Sequence, residues 1–394
     1  MHFEGVAVRL IRAILMLCLL CDVSPLSASD DLLDAGRAAS IDYILQSAVS
    51  RGLISGGTVL VGNHAGTVYL TSSGKTGASP GSSNLDERTM FDVASLTKVI
   101  ATAPAVMKLL EEGHITLLDP LTRWFPELEG SGREDITILN LLTHTSGLND
   151  IELSNGDTIE TILQKAATQR SGRLPGGRFL YADINFILLG DLVQRVTGKT
   201  LDRYCRDHIY GPLGMRDTMF QPPLERSPGI ASTIGPRNEL LTGLVQDGNA
   251  QKLGGIAGHA GLFSSASDLS RFATMILNNG VLGGARLFSD KVLAQMTSPY
   301  FYSNGNVVRG LGWDIYSPYS SPRGSFFSEM SFGHTGYTGS SIWIDPKHDL
   351  FVILLTVRLD YRYIRHFNRL RSDISTIAAS IFSQPQDIAS LLEN

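Results

Sequence analysis

A serine hydroxyl and a lysine amine stand three residues apart in Ser95-Leu96-Thr97-Lys98. A serine hydroxyl is a weak nucleophile at its own pKa, and it gains strength only when a nearby base takes its proton as it attacks. The residues Val99, Ile100, Ala103, Val106, Met107 and Leu110 recur with helical spacing, so a helix is expected to hold Ser95 and Lys98 on one face, one turn apart. The start of that helix would offer free N–H groups and partial positive charge to a developing oxyanion. For Lys98 to serve as a base, desolvation and neighbouring positive charge must hold it neutral. The bland alternative is a serine at a helix start beside a solvated lysine.

A Ser-x-x-Lys match is weak by itself, and the chain holds a second one in Ser72-Ser73-Gly74-Lys75. That copy follows a strand-like segment and runs into Gly- and Ser-rich sequence with no helical period behind it, so it reads as a surface turn. Other hydrolytic machineries lack their signatures. No His-Glu-x-x-His spacing occurs for a zinc hydrolase and no Gly-x-Ser-x-Gly for a nucleophile elbow, and no metal or cofactor is expected.

The elements that must position Ser95 are legible in outline. A helix is expected over residues 35–51, then a hairpin of two β-branched strands, Gly57 to Gly62 and Thr67 to Thr71, about a turn at Asn63 to Gly66. Pro104 lies inside the run after Ser95 and should kink or divide it. Helices are expected over residues 135–148, 159–168 and 184–196, the last closed by Gly198, and over the stretch beyond Leu201. Ser267-Asp268 reads as the cap of a helix reaching Leu277, ahead of two terminal strands, residues 340–344 and 350–357, and a closing helix from about Phe367 to Phe382. Strands at both ends with helices between predict one α/β unit whose sheet joins distant parts of the chain.

Three further segments carry chemistry-bearing residues: Tyr181-Ala182-Asp183 just before a helix, the Gly-rich lead Gly333-His334-Thr335-Gly336-Tyr337-Thr338-Gly339, and Leu141 to Leu148, LLTHTSGL. Together with INFILLG, GPLGM, GGIAGHAGLFS and GLGW, in this order from about Ile54 to Thr356, they resemble the serine β-lactamase and penicillin-binding protein superfamily. The branch they resemble is the β-lactamase-related, class C-like one, nearest the low-molecular-weight penicillin-binding proteins and esterases. The resemblance implies an α/β (α+β) fold of β-lactamase/transpeptidase type, an antiparallel sheet flanked by helices with an all-helical region beside the active site. It implies Ser95 as nucleophile, Lys98 as its partner, Tyr181 as a second proton-handling group, and His334, Thr335 and Gly336 along the strand edge beside the substrate. The oxyanion hole would be the N–H groups of Ser95 and Tyr337. Which of Lys98 and Tyr181 takes the first proton stays open. Two cations near a phenol would lower the pKa of Tyr181.

Two positions depart from the family pattern. Asp183 stands where an asparagine is usual, replacing an amide donor by an acceptor-only carboxylate, which would meet the substrate or cap the helix beginning at Ile184. His334 stands where many relatives carry lysine, and a histidine is cationic only part of the time near neutral pH. Both changes lower the β-lactamase activity expected. His144 and His259 are expected to bond loops.

Three functions remain: a D-alanyl-D-alanine carboxypeptidase acting on cell-wall peptides, a carboxylesterase on a small acyl substrate, and a non-catalytic wall-binding protein. A formal net charge of -5 argues against a nucleic-acid partner. Arg9 and Arg12, the apolar run Ala13 to Cys21 and the small residues Ser27 to Ser29 read as a signal peptide over 1–29, followed by a single domain over 30–394. The expected destination is the periplasm or cell envelope; an uncleaved segment would hold the protein at a membrane. Cleavage would leave Cys205 as the one cysteine, a half-buried residue without a disulfide.

Overall fold

The computed structural model describes residues 27–169, 174–235, 237–303, 307–358 and 360–383, with side chains from Gly36 onward. It forms two compact units, Met1–Ser40 and Ile41–Asn394. The first is described only from Ser27, where it is the opening of the helix Ser27–Ser50, so residues 1–26 of the expected signal peptide lie outside the described residues. The second unit carries every candidate site residue.

Strand-forming sequence from both ends of this unit meets in one eight-stranded sheet. In spatial order the strands are Phe301–Ser303, Val307–Arg309, Asp314–Tyr316, Phe332–Thr335, Ser341–Asp345, Leu350–Arg358, Ile54–Asn63 and Gly66–Gly74. Each pairs antiparallel with the next, and the junction of the chain's two ends runs from Ile54 opposite Arg358 to Gly62 opposite Phe351. Leu350–Arg358 and Ile54–Asn63 are buried on both faces, and their side chains alternate with period two between two cores. Leu60, Ile353 and Leu355 face the larger core with Leu96, Val99 and Ile100, whereas Val59, Val61, Val352 and Leu354 face Ile41, Leu45, Phe367 and Ile374 of two covering helices.

The helical region lies between the hairpin and the returning strands. Ile159–Thr168 and Asp183–Thr197 form close to the expected bounds, the latter stopped by Gly198 at φ 71°. Expected residues 135–148 yield only Ile138–Leu142, because His144 turns left-handed at φ 56° well before Gly147. Ser265, not Ser267, caps Ala266–Leu277 by accepting from the N–H of Asp268. The closing helix, Ile364–Phe382, starts about a turn earlier than expected. The second Ser-x-x-Lys copy is not a turn: Ser72 to Gly74 end a strand, and Lys75 bridges to Asn84.

Glycines set the closest approach in this region. A Cβ on Gly258 would stand 1.9 Å from the carbonyl oxygen of Phe186 and 2.9 Å from the nitrogen of Gly190, so the Asp183–Thr197 helix lies directly against the backbone at 258. From that contact the carbonyls of Gly258 and His259 reach the nucleophile segment, accepting from Thr102 Oγ1 at 2.6 Å and Lys98 Nζ at 3.0 Å. Gly258→Ala must push these elements apart, and the expected cost is about 1–3 kcal/mol or more, read as a lowered thermal unfolding midpoint. An unchanged midpoint would contradict this packing.

Candidate active site

The segment that carries Ser95 is not one regular helix. A tight turn over Ala94–Leu96 passes into a wider π-type turn over Lys98–Thr102, and Ala103–Glu111 continues as α-helix with Pro104 in its first turn, where a missing N–H costs nothing. Ala94, just before Ser95, sits at φ 48°, which a non-glycine residue adopts only when its surroundings enforce it. The enforcing group is Asp92, whose carboxylate accepts from the N–H of Ala94 at 2.9 Å and of Gln246 at 2.7 Å. Burial pushes Asp92 up to about 6.

The strand edge is pinned to this turn. Thr338 Oγ1 donates to Asp92 O at 2.6 Å and Ser340 Oγ donates to Val93 O at 2.9 Å. A Cβ at Gly336 would fall 2.4 Å from the oxygen of Val93, so the glycine is needed for approach to the nucleophile turn as much as to any substrate. The N–H of Tyr337 donates to no other backbone group among the described residues, and that of Ser95 lies in the opening turn Ala94–Leu96, where helical N–H groups have no intrahelical acceptor.

Lys98 is wholly buried, with Nζ 3.1 Å from Ser95 Oγ, 3.0 Å from His259 O and 2.7 Å from Asp183 Oδ1. Burial opposes its charge, but Asp183 and Tyr181 override that and hold Lys98 above the ordinary lysine range. Asp183 is held below the ordinary carboxylate range: burial again opposes, and the Lys98 ammonium prevails. The neutral lysine that direct base catalysis would require is thus not the resting state; Lys98 is an ammonium in an ion pair. Asp183 does not cap its helix either; Ala182 occupies the cap position, and Asp150 accepts from the N–H of Ile184 at 3.2 Å. The pair stabilises the fold across neutral pH. The contribution of Asp183 is lost as pH falls through its depressed folded value, and that of Lys98 as pH rises through its elevated one.

Tyr181 completes the convergence, its ring centroid 5.2 Å from Lys98 Nζ and its phenol coupled to both Ser95 and Lys98. Its pKa is raised, not lowered as two nearby cations would suggest, because burial outweighs the lysine charge. His144 stacks on it at 4.5 Å and accepts from the N–H of Ala182 through Nδ1 at 3.2 Å, which fixes the tyrosine segment. The wall opposite is His334, 5% exposed and driven well below its ordinary range, first by burial and then by Arg309 and Lys98. His334 is thus a neutral imidazole in the resting site.

Ser95, Tyr181, His334, Thr335, Gly336 and Tyr337 line one cleft of about 440 Å³, together with the guanidinium-bearing residues Arg309, Arg358 and Arg371. Those arginines, Asp92 and Asp247 are the site residues that sequence reading passed over, while His259 bonds Asp247 as a loop-bonding histidine was expected to. His259 Nε2 lies 2.9 Å from Asp247 Oδ1, and ligand-type atoms of Asp183, Asp247 and His259 all fall within 4.8 Å of one another. The motif GGIAGHAGLFS drew attention to His259, but nothing in the spacing pointed it at Lys98.

The chain is similar in sequence and fold to known proteins. The family profile described as Beta-lactamase matches residues 41–369. A protein of Salmonella agona (strain SL483) named "Putative D-alanyl-D-alanine carboxypeptidase" is 31% identical over 300 residues, covering 68% of this chain and 69% of its own. Among solved structures, EstCE1, described as a hydrolase with promiscuous acyltransferase activity, superposes with TM-score 0.72 at 21% identity over 87% of this chain and 99% of its own. A class C β-lactamase superposes with TM-score 0.72 at 20% identity over 88% and 96%. These two likenesses establish the fold, which is the expected antiparallel sheet flanked by helices.

The ion pair predicts a change in pH dependence. With Asp183 ionised and Lys98 protonated throughout, the wild type should show no ascending limb in kcat/KM between pH 5 and 8 from this pair. In Asp183→Asn the lysine must lose its proton to solvent, so an ascending limb should emerge, with its midpoint below the wild-type Lys98 value because burial then acts with less opposition. Superimposable profiles would show that the pair does not govern proton transfer.

Proposed function

Because the chain belongs to the Beta-lactamase family, we propose that this serine hydrolase is a D-alanyl-D-alanine carboxypeptidase acting on cell-wall peptides. The observation that carries this reading is the meeting of Ser95 and Tyr181 in one cleft, with Lys98 buried behind Ser95, beside the strand Phe332–Thr335, whose neighbour Asp314–Tyr316 pairs with it only at Gly333 and so leaves room along His334 and Thr335 for an extended peptide. The carboxypeptidase name of the Salmonella agona relative supports the substrate class. Export to the periplasm or cell envelope, read from the first 29 residues, belongs to the same proposal.

In acylation, Ser95 Oγ attacks the carbonyl carbon of the penultimate D-alanine. Its proton passes to Lys98 Nζ while Lys98 gives one of its own to Asp183 Oδ1, 2.7 Å away. The carbonyl oxygen takes up negative charge facing the N–H groups of Ser95 and Tyr337. As the C–N bond breaks, the departing amine takes the proton of the Tyr181 phenol, and Asp183 returns its proton through Lys98 to Tyr181. Water then repeats the sequence on the ester and frees Ser95. Asp183 therefore acts on the lysine as a proton acceptor, in place of the amide donor usual in the family.

A second reading is a carboxylesterase, favoured by the neutral, buried His334, which gives the strand edge no charged anchor of its own for a terminal carboxylate. Release of D-alanine from diacetyl-Lys-D-Ala-D-Ala separates the two. The wild type should release it, and Ser95→Ala should lose at least about 10³-fold in kcat. Fluorescent penicillin should label the peptide containing Ser95. Nitrophenyl-ester turnover that depends on Ser95, without D-alanine release, would establish the esterase reading instead. A stoichiometric complex with no turnover of either would support a wall-binding protein.

A further inference from the structure

The peptide group that carries the Tyr337 N–H is gripped from behind by a buried cation. Arg371, 4% exposed on the helix Ile364–Phe382, donates from Nη2 to Gly336 O at 2.6 Å and to Ser340 O at 2.8 Å. Gly336 O and the Tyr337 N–H belong to one peptide group. A charged donor on the oxygen draws electron density toward it and makes the N–H a stronger donor in turn.

The guanidinium is held in place for this. Its carbon lies 4.6 Å from the centre of the Phe367 ring, and Asn368 Oδ1 accepts from Nη1 at 3.2 Å. No carboxylate among the described residues forms an ion pair with it. Burial, with Arg358 nearby, brings Arg371 down to about 9, so it stays charged through neutral pH. Arg358 offers an internal comparison: its Nη1 donates to Tyr337 O at 3.0 Å, but that oxygen belongs to the next peptide group along.

We propose that Arg371 is a positioning residue that polarises the Gly336–Tyr337 peptide, strengthening the Tyr337 N–H toward the oxyanion that forms on Ser95 acylation. The proposal rests on the acyl-enzyme reading above. It differs from a role in fixing the loop, because a structural clamp would alter binding and rate together, whereas polarisation acts where negative charge develops.

The test uses the full chain acylated by penicillin G, or by p-nitrophenyl butyrate if penicillin G does not react. Its readouts are the acylation rate constant, the non-covalent Kd and the infrared stretch of the acyl carbonyl. Loss of a whole oxyanion donor costs roughly 10²–10³ in rate, so weakening one should cost about tenfold. Arg371→Lys should therefore acylate about tenfold more slowly with Kd changed by less than about twofold, and its acyl carbonyl should stretch at higher frequency. Arg358→Lys, which alters the next peptide group along, should move that frequency clearly less than Arg371→Lys does. If Arg371→Lys does not fold, Asn368→Ala, which frees the guanidinium while keeping its charge, should give a smaller shift in the same direction. An unmoved frequency, an equal shift in Arg358→Lys, or a Kd that rises by the same factor as the rate falls would overturn the proposal. A wild type that forms no adduct on Ser95 would sink the acyl-enzyme reading itself; a normal wild-type adduct with an unmoved variant would sink the Arg371 proposal alone.

Discussion

A charged lysine with no access to solvent, paired with one half-buried carboxylate, is the constraint from which the site follows. An ammonium taken out of water costs several kcal/mol unless its hydrogen bonds and its charge are met. Lys98 meets them with Ser95 Oγ, His259 O and Asp183 Oδ1, three groups from three distant stretches of chain. Removing Asp183 leaves the buried charge unpaired, and removing either other partner leaves a buried N–H without an acceptor. The pair therefore ties catalytic geometry to fold stability, and it sets the resting protonation state of the centre.

Around that charge the structure trades backbone freedom for proximity. The strain at Ala94 is held by Asp92, the approach of residue 336 to Val93 requires a glycine, and the approach of residue 258 to Phe186 requires another. Each contact brings a donor or acceptor near Ser95 that a bulkier or more relaxed backbone would keep away. The sheet supplies the rigid side of the cleft, since its central strands are buried on both faces and held by cores above and below. The helical region supplies Asp183 from the first residue of one helix and Tyr181 from two residues before it, so one helix start positions both.

Local signals made much of this legible. Hydrophobic period and caps placed the helices at 159–168 and 183–197 within a residue or so, and the β-branched hairpin with its Asn63–Gly66 turn. They failed where tertiary contacts override propensity. A good helical pattern over 135–148 is broken at His144 because that imidazole must stack on Tyr181 and accept from Ala182. The short strands Phe301–Ser303, Val307–Arg309 and Asp314–Tyr316 carry too few residues for a period and exist through their neighbours.

Residue types and their order can be read straight along the chain: Ser95 with Lys98 three residues on, a tyrosine ahead of a helix, and a glycine-rich lead into a strand, enough to point to the family and the reaction class. Their ionisation arises only once the chain is folded. Burial raises Tyr181 and lowers His334, while Asp183 keeps Lys98 charged. The reason is that pKa values depend on desolvation and on charges a few ångströms away. The Asp183 carboxylate lies 85 positions along the chain from Lys98, a separation that no spacing rule spans.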